Sequence, residues 1–363
     1  MASTPTVNVD QPLRIALISP PWQPIPPTSY GGVERIIVWL AEELIALGHE
    51  VTIFGAGPDN IPKVRYYATF DDPPPKMAGT EALAGVIHML EVARLLNTIE
   101  VDVIHDHSIL GAAVVAARGT PIVTTAHNPV YGYIADLKAR YYQCIAQSSR
   151  LIAISETQRS RKDSDMAVSW AGIVPNGIPV DNYPLQTVKK DYALWLGRMT
   201  EEKAPELAIS AARTAGIPLI LAGKCVEPDE HAYFDEHVRP LLGPDVEWVG
   251  EVGGTDKLNL LAQARCLLNP LQWNEPFGLV MVEAMACGTP VVAMNRGAAS
   301  ELVLHEVTGY LCDTAEELAS WIPRVGELDP ASCRKHVETH FSSTRMAEGY
   351  LTIYREAIQA QRK

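Results

Sequence analysis

The segment 275–292, with the sequence EPFGLVMVEAMACGTPVV, gives the clearest evidence of the fold. Its long apolar stretch predicts a buried helix that begins near Pro276, because a proline fits the first helical turn. Gly288 is typical of a residue that ends a helix, and Val291 begins an apolar run that predicts a buried strand. A buried helix that leads directly into a buried strand indicates a protein of the α/β class.

The start of this helix is a candidate anion-binding site. Gly278 allows a ligand to approach the first turn, where unpaired backbone amides and the positive end of the helix dipole favour an anion. Glu275 and Glu283 would lie about 12 Å apart along the helix axis, which is about the span of a nucleoside diphosphate-sugar. Two glutamates at this spacing alone favour an ordinary helix with a capping residue. The Pro-Phe-Gly insert and the apolar tail favour the binding site instead.

Composition restricts the class of protein. A chain of 363 residues exceeds one typical core, which predicts two domains. The formal charge of −13 disfavours nucleic acid as a partner and, more weakly, an anionic membrane surface. No apolar run approaches the ~20 residues of a membrane span, and residues 1–11 have no signal-peptide core, so no transmembrane segment is expected.

The cysteines indicate a reducing compartment. None of them forms a CxxC pair, and several lie in apolar strand or helix contexts, so we expect reduced, buried thiols and a cytoplasmic location. The six are Cys144, Cys225, Cys266, Cys287, Cys312 and Cys333.

Apolar runs alternate with helical patterns along almost the whole chain, which predicts parallel sheets covered on both faces. Two series of strands are separated by the turn-rich segment 174–184, and the domain boundary is expected near residues 186–190. The predicted strands are 13–19, 51–54, 101–105, 122–125 and 151–154, then 192–196, 219–222, 246–249, 266–269 and 291–293.

The segment 196–203, LGRMTEEK, is the second strong motif. A strand ends, a glycine turns the chain, and Arg198 and Lys203 precede a helix. Arginine supplies a planar fork for phosphate oxygens and lysine a compact charge, and together they can neutralise a leaving diphosphate. As an isolated pattern, two surface cations at a domain start are equally consistent with these residues.

Two polar clusters belong to the first domain. Gly31 and Gly32 follow the first strand and allow backbone amides to meet a phosphate or sugar, although any tight turn uses such glycines. The residues 105–107, His-Asp-His, end one strand, and His127 follows the next. Neighbouring side chains on a strand point to opposite faces, so packing or capping is favoured over metal binding for the first cluster of histidines, and no metal site is expected.

Together these motifs resemble those of the retaining nucleotide-sugar glycosyltransferases of family 4, which have the GT-B fold. The resemblance covers residues 12–358. It implies two Rossmann-like domains, each a doubly wound parallel sheet, that face a central cleft. The domains are residues 1–187 and 188–342, and the final helix, within residues 343–363, is expected to cross back and pack on the first domain.

The resemblance also implies roles for particular residues. Arg198 and Lys203 would bind the diphosphate, Glu283 the ribose, and Glu275 with nearby backbone amides the sugar, while His127 would lie near the transferred sugar. The implied catalytic residues are Arg198, Lys203, Glu275 and His127. The implied substrate-binding residues are Gly31, Gly32, Glu251, Phe277, Gly278, Leu279 and Glu283.

The loop 20–30, PPWQPIPPTSY, is the best candidate for the acceptor site. Its prolines lower the entropy lost on ordering, and Trp22 and Tyr30 offer flat apolar faces with polar edges, which suit a sugar or an aromatic acceptor. A rigid loop whose tryptophan packs on its own domain is equally consistent with the pattern.

The function implied is a metal-independent, retaining transfer of a sugar from a UDP- or GDP-linked donor to a small-molecule, glycan or lipid-linked acceptor. The nucleotide-sugar is a co-substrate, and no cofactor is expected. Two alternatives stay open: a sugar-nucleotide epimerase or glycan phosphorylase of the same fold, and a non-catalytic nucleotide-sugar sensor. The intact set of Arg198, Lys203, Glu275 and Glu283 disfavours the sensor.

Overall fold

The computed structural model describes residues 11–27, 31–58, 61–75, 81–111, 119–129, 135–160 and 167–361. The chain divides into two compact units. The first unit comprises Met1–Ile154, Gln158–Gly177 and Ser343–Lys363, and the second comprises Ser155–Thr157 and Ile178–Ser342.

The first unit is built on a sheet of seven described strands, all parallel, in the order β3-β2-β1-β4-β5-β6-β7. Strand β1 lies between β2 and β4, and its Ile15 is paired with Val51 on one side and Val103 on the other. The strands are β1 (Arg14–Ile18), β2 (Glu50–Gly55), β3 (Arg65–Ala68), β4 (Val103–Asp106), β5 (Ile122–Thr125), β6 (Arg150–Ala153) and β7 (Gly172–Ile173).

The second unit has a sheet of six described parallel strands in the order β10-β9-β8-β11-β12-β13. The strand order reverses between β8 and β11, and such a switch point is where open α/β sheets bind ligands. The strands are β8 (Ala193–Leu196), β9 (Leu219–Ala222), β10 (Val246–Trp248), β11 (Cys266–Asn269), β12 (Val291–Met294) and β13 (Gly309–Cys312).

Helices connect these strands. Among the described residues the α-helices are α1 (Gly32–Ala46), α2 (Glu81–Leu96), α3 (Ala135–Ala146), α4 (Glu156–Ser160), α5 (Pro205–Ala215), α6 (Pro228–Tyr233), α7 (Gly254–Gln263), α8 (Leu279–Ala286), α9 (Ala299–Leu302), α10 (Ala315–Trp321), α11 (Pro330–His340) and α12 (Ser343–Gln361). A π-helical turn, Phe234–Val238, follows α6, and short 3₁₀ helices lie at Val180–Asn182, Glu201–Lys203, Arg239–Leu241 and Ile322–Glu327.

The central strands are buried on both faces, as continuous apolar runs require in a parallel sheet. Leu17 and Ile18 in β1 and Leu267 in β11 are fully buried. Each such side chain contributes about 1.5–3 kcal/mol of hydrophobic stabilisation. The prediction of an α/β chain with two parallel-sheet, Rossmann-like halves is confirmed.

The C-terminal helix α12 belongs to the first unit, as predicted. Tyr350 and Tyr354 on this helix are fully buried. The Tyr354 hydroxyl is 2.6 Å from Nδ1 of His105, and the Tyr350 hydroxyl is 3.0 Å from Oγ1 of Thr125. These contacts attach the last helix to strands β4 and β5.

The change from one unit to the other comes earlier than the expected boundary at 187/188. The segment from Ile178 onward packs with the second unit. The Tyr183 hydroxyl donates to Glu283, and the backbone N–H of Gln186 donates to the carbonyl of Cys287 at 3.2 Å. The turn-rich composition of this segment did not reveal those bonds.

All six cysteines are unpaired. Cys266, Cys287, Cys312 and Cys333 are buried, Cys225 is half-buried and Cys144 is exposed. In the part of the chain that the structure describes, no helix is both long enough and apolar enough to span a bilayer.

His88 makes the first unit sensitive to acid. It is fully buried on α2, its Nδ1 lies 2.7 Å from Oγ1 of Thr69, and burial lowers its pKa to about 4. In the unfolded chain this histidine binds a proton near pH 6.5, whereas in the folded chain it does so only near pH 4. The free energy of unfolding therefore falls by about 3 kcal/mol as the pH drops from above 6.5 to below 4.

We expect His88→Gln to lose less unfolding free energy than the wild type between pH 7 and pH 5, by about 2 kcal/mol. Urea unfolding at the two pH values measures the difference. His237→Gln, at an exposed histidine, is the control and should follow the wild type. An unchanged pH dependence in His88→Gln would contradict this account of His88.

Candidate active site

Loops from three neighbouring strands meet at the carboxyl edge of the second sheet. Arg198 and Lys203 follow β8, Glu275 follows β11, and Gly297 follows β12. The Nζ of Lys203 contacts Oε2 of Glu275 directly. The structure therefore brings together two predicted site residues that are distant in the chain.

The loop that carries Glu275 is fixed by its neighbours. The Gly297 N–H donates to Oδ1 of Asn274 at 3.1 Å, and the Ala298 N–H donates to the Glu275 carbonyl at 2.9 Å. A Cβ on Gly297 would lie 2.3 Å from that carbonyl oxygen, and the φ of Gly297 is +57°. Only glycine therefore allows the turn after β12 to approach the loop this closely.

The Lys203–Glu275 ion pair is mostly removed from solvent. The exposed fractions of the two side chains are 18% and 17%, and the Lys203 ammonium also lies 5.2 Å from the centre of the Trp273 ring. Opposite charges in such surroundings attract more strongly than on an open surface. The cation is therefore held in one place beside the loop of Glu275.

Arg198 is held between two carboxylates. Its Nη2 is 2.9 Å from Oε1 of Glu202, and its Nη1 is 3.8 Å from Oε1 of Glu230. Glu230 is buried at the start of α6, where its other oxygen accepts the Val226 and Glu227 N–H groups. The two carboxylates thus orient the guanidinium fork.

The helix after Glu275 starts later than the sequence predicts. Pro276 lies outside α8, which begins at Leu279, so the axial distance of about 12 Å between the two glutamates does not apply. The reason is Gly278, whose φ of +108° turns the chain at the N-cap of α8. Phe277 is buried and its ring lies 6.0 Å from that of Phe341, so its side chain belongs to the core.

Glu283 is 2% exposed and lies in the middle of α8. The Lys257 ammonium bonds both of its oxygens, at 2.7 and 2.6 Å, and the Tyr183 hydroxyl donates to Oε1 at 3.0 Å. The predicted ribose ligand is therefore an anchored carboxylate. Leu279, at the first position of α8, is half-buried.

Glu251 lies on the loop that follows β10 and is exposed. This loop is attached to the end of β9, because the Gly223 N–H donates to the carbonyl of Gly250 at 2.8 Å. A Cβ on Gly223 would lie 1.7 Å from the carbonyl oxygen of Gly197, so the turn that leads to Arg198 packs directly on this glycine.

In the first unit, three histidines gather at the carboxyl edge of the sheet. The rings of His105 and His107 lie 3.9 Å apart on one face of the strand end, and Nδ1 of His107 is 2.9 Å from Nε2 of His127. Asp106 points the other way and accepts the Ser108 N–H and hydroxyl at 2.8 and 2.6 Å. His105 and His107 thus pack together, as expected, and Asp106 forms a turn.

The glycine and acceptor loops are described only in part. Gly31 is the N-cap of α1, and a Cβ on it would lie 2.6 Å from Cβ of Pro27. A Cβ on Gly32 would meet no atom within 4 Å. Trp22 is half-buried, and Tyr30 lies outside the described residues.

Four positioning residues were not predicted from the sequence. Lys257 and Tyr183 hold Glu283, Glu230 faces Arg198, and Gln158 holds the backbone around His127. A lysine such as Lys257 or a glutamate such as Glu230 in a helix is usually predicted to be solvated. For all four residues the partner is distant in the chain or known only from the fold, so the sequence gives no local signal for these contacts. Within the described ranges, no group of three or more His, Cys, Asp or Glu side chains could hold a metal ion.

Two family models match the chain in succession. The model "Glycosyltransferase Family 4" matches residues 30–182, and the model "Glycosyl transferases group 1" matches residues 184–335. The glycogen synthase of Mycobacterium tuberculosis is 27% identical, over 97% of this chain and 96% of that protein.

Solved structures agree with these matches. AviGT4, a glycosyltransferase involved in avilamycin A biosynthesis, is 28% identical with a TM-score of 0.70, and the alignment covers 96% of this chain and 99% of that one. Anabaena Alr3699/HepE in complex with UDP-glucose has a TM-score of 0.73 at 18% identity, over 95% and 100% of the two chains, and shows the fold. The protein is a glycosyltransferase. It belongs to the family 4-like glycosyltransferases of the GT-B fold.

We expect Gly278→Ala to destabilise the second unit by about 1–3 kcal/mol, because alanine is strained at a φ of +108°. The new Cβ would also lie 2.3 Å from Cε of Met281. Thermal unfolding measures the effect. Gly253→Ala is the matched control, since Gly253 is the N-cap of α7 with a φ of −140° and open space around it. Equal melting temperatures for the two variants would contradict the assigned role of Gly278.

Proposed function

We propose that this protein is a retaining, metal-independent glycosyltransferase that moves a sugar from a nucleoside diphosphate-sugar to a hydroxyl-bearing acceptor. The observation that carries the proposal is the contact of Lys203 with Glu275 at the switch point of the second sheet. There a cation suited to phosphate and a carboxylate suited to sugar hydroxyls lie side by side. The carboxylate, Glu275, is four residues before the start of α8.

The diphosphate of the donor would bind to Arg198 and Lys203. Arg198 would offer phosphate oxygens the N–H groups that do not face Glu202 and Glu230, and Lys203 adds a point charge. Both cations already sit beside carboxylates, so their charges are in place before the donor arrives. Negative charge grows on the diphosphate as it leaves, and fixed cations stabilise that charge without reorganisation.

The remaining donor contacts follow from the same loops. Glu283 would accept a ribose hydroxyl, since its anchored oxygens retain lone pairs beyond those used by Lys257 and Tyr183. Glu275 and the backbone around Phe277, Gly278 and Leu279 would bind the transferred sugar. The loop of Glu251 would contact the base through its backbone.

The family and its relatives indicate the class of donor and of acceptor. A donor linked to UDP or GDP is consistent with the family, and the UDP-glucose held by a neighbour of this fold supports the first. The acceptor, which is a small molecule, a glycan or a lipid-linked sugar, would bind to the first unit. There Gly31, Gly32 and His127 would contact substrate, with Trp22 and Tyr30 on the acceptor loop.

Retention follows from attack on the face that the leaving group occupies. The acceptor oxygen forms a bond to the anomeric carbon as the bond from that carbon to the diphosphate oxygen breaks. The proton of the acceptor hydroxyl passes to the departing diphosphate. No separate carboxylate base is needed for this step, which agrees with Glu275 and Glu283 both being ion-paired.

The alternatives predict different products from a nucleotide-sugar. An epimerase returns an altered donor, a glycan phosphorylase uses inorganic phosphate and a glycan, and a sensor binds without turnover. Slow release of nucleoside diphosphate and free sugar from a panel of nucleotide-sugars supports the transferase. The cations fixed beside a leaving-group site, Arg198 and Lys203, favour turnover over simple binding.

We expect Arg198→Ala and Lys203→Ala each to lower kcat/KM for donor hydrolysis by about 10²–10³, as for other lost groups that stabilise developing charge. The measurement is release of nucleoside diphosphate under steady-state conditions. Lys224→Ala is the control, because Lys224 is equally buried and ion-paired but follows β9. Retention of more than half of the activity by both site variants would refute the diphosphate assignment.

We expect transfer to continue in EDTA and the product to keep the anomeric configuration of the donor. Proton NMR of the purified product gives the configuration through the anomeric coupling constant. An inverted linkage would contradict the retaining mechanism. Loss of transfer on chelation, restored by Mg²⁺ or Mn²⁺, would contradict metal independence.

A further inference from the structure

The contact between His107 and His127 has an unusual asymmetry. Nδ1 of His107 lies 2.9 Å from Nε2 of His127. The other ring nitrogen of His107, Nε2, is buried and has no hydrogen-bond partner among the described residues. His107 itself is 2% exposed, so solvent does not supply the missing partner.

Both rings are neutral near pH 7. Burial lowers the pKa of His127 to about 4 and holds the pKa of His107 well below its ordinary value, and the neighbouring ring of His105 acts in the same direction on His107. A neutral imidazole carries one N–H and one bare nitrogen. One ring must therefore donate to the other.

Two arrangements satisfy this hydrogen bond. If His127 donates from Nε2, then His107 must carry its own proton on Nε2, where the N–H is buried without an acceptor. If His107 donates from Nδ1, the unpartnered Nε2 is a bare nitrogen. A buried N–H group without an acceptor is rarer in proteins than a buried acceptor without a donor, so the second arrangement is favoured.

We propose that His107 is a positioning residue that donates its Nδ1–H to Nε2 of His127 and so fixes His127 as the Nδ1–H tautomer. His127 then presents a hydrogen-bond donor, and its partner on the substrate is an oxygen acceptor such as a sugar hydroxyl or ring oxygen. The substrate contact of His127 rests on the proposed function; the tautomer does not.

The backbone around His127 is fixed as firmly as its ring. The amide nitrogen of Gln158 donates to the carbonyls of Ala126 and Asn128 at 2.8 and 3.0 Å, and its Oε1 accepts the Ile154 N–H at 2.8 Å. Gln158 is almost fully buried. The residues before and after His127 are thus held by one side chain, and the imidazole is held by another.

The test is a long-range ¹H–¹⁵N correlation spectrum at pH 7.5 of the full chain, labelled with ¹⁵N in its ten histidine rings. His127→Gln identifies the signals of His127. We expect Nδ1 of His127 to be protonated and Nε2 to be bare. His336 is an internal reference, because its Nε2 lies 2.9 Å from the Leu302 carbonyl and must carry the proton.

Two variants separate positioning from packing. His107→Leu removes the donor and should give His127 a mixture of tautomers, whereas His107→Gln keeps an amide donor and should restore Nδ1–H. A protonated Nε2 in wild-type His127 would overturn the proposal, and that spectrum decides even if a variant does not fold. Nδ1–H without any turnover of nucleotide-sugars would instead refute the proposed function alone.

Discussion

The burial of both sheets on both faces is the constraint on which the rest of this protein depends. Strands such as β4, β5 and β11 consist of buried residues throughout, and their polar residues lie at the carboxyl ends of the strands and in the loops beyond. Because all the described strands are parallel, the loops that follow neighbouring strands lie at one edge of each sheet. That edge gathers Arg198, Lys203 and Glu275 in the second unit and His107 with His127 in the first.

Charge compensation is the common feature of the second unit's site. Lys203 is paired with Glu275, Glu283 with Lys257, and Arg198 with Glu202 and Glu230. Breaking a partly buried pair leaves an uncompensated charge, which costs more than the pair contributes. A donor that brings phosphate charges and hydroxyls to these same groups can bind without leaving any of them uncompensated. The site is therefore suited to a highly charged, polyhydroxylated ligand.

The central strands could be predicted from the sequence, but the contacts between side chains in the site could not. Residues 219–222, LILA, form β9 with the predicted bounds, because a buried strand is a continuous apolar run. The edge strands β3, β7 and β13 were not predicted. β3 and β7 are only partly buried, and β13, GYLC, begins with a glycine, a residue that is depleted in strands. Lys203 and Glu275 were predicted as site residues. Their ion pair was not, because residues 72 positions apart are joined only by the sheet order. Pro276 was expected within the helix; the positive φ of Gly278 delays its start.

The central claim is that the loops after β8 and β11 form a diphosphate site in the second unit. Calorimetric titration of a nucleoside diphosphate and of its parent nucleoside into the full chain tests this claim most directly. Two charge-assisted contacts of about 1.5–3 kcal/mol each predict that the diphosphate binds at least ~100-fold more tightly than the nucleoside, with the difference shrinking as salt is raised. Equal affinities for the two ligands would contradict the account.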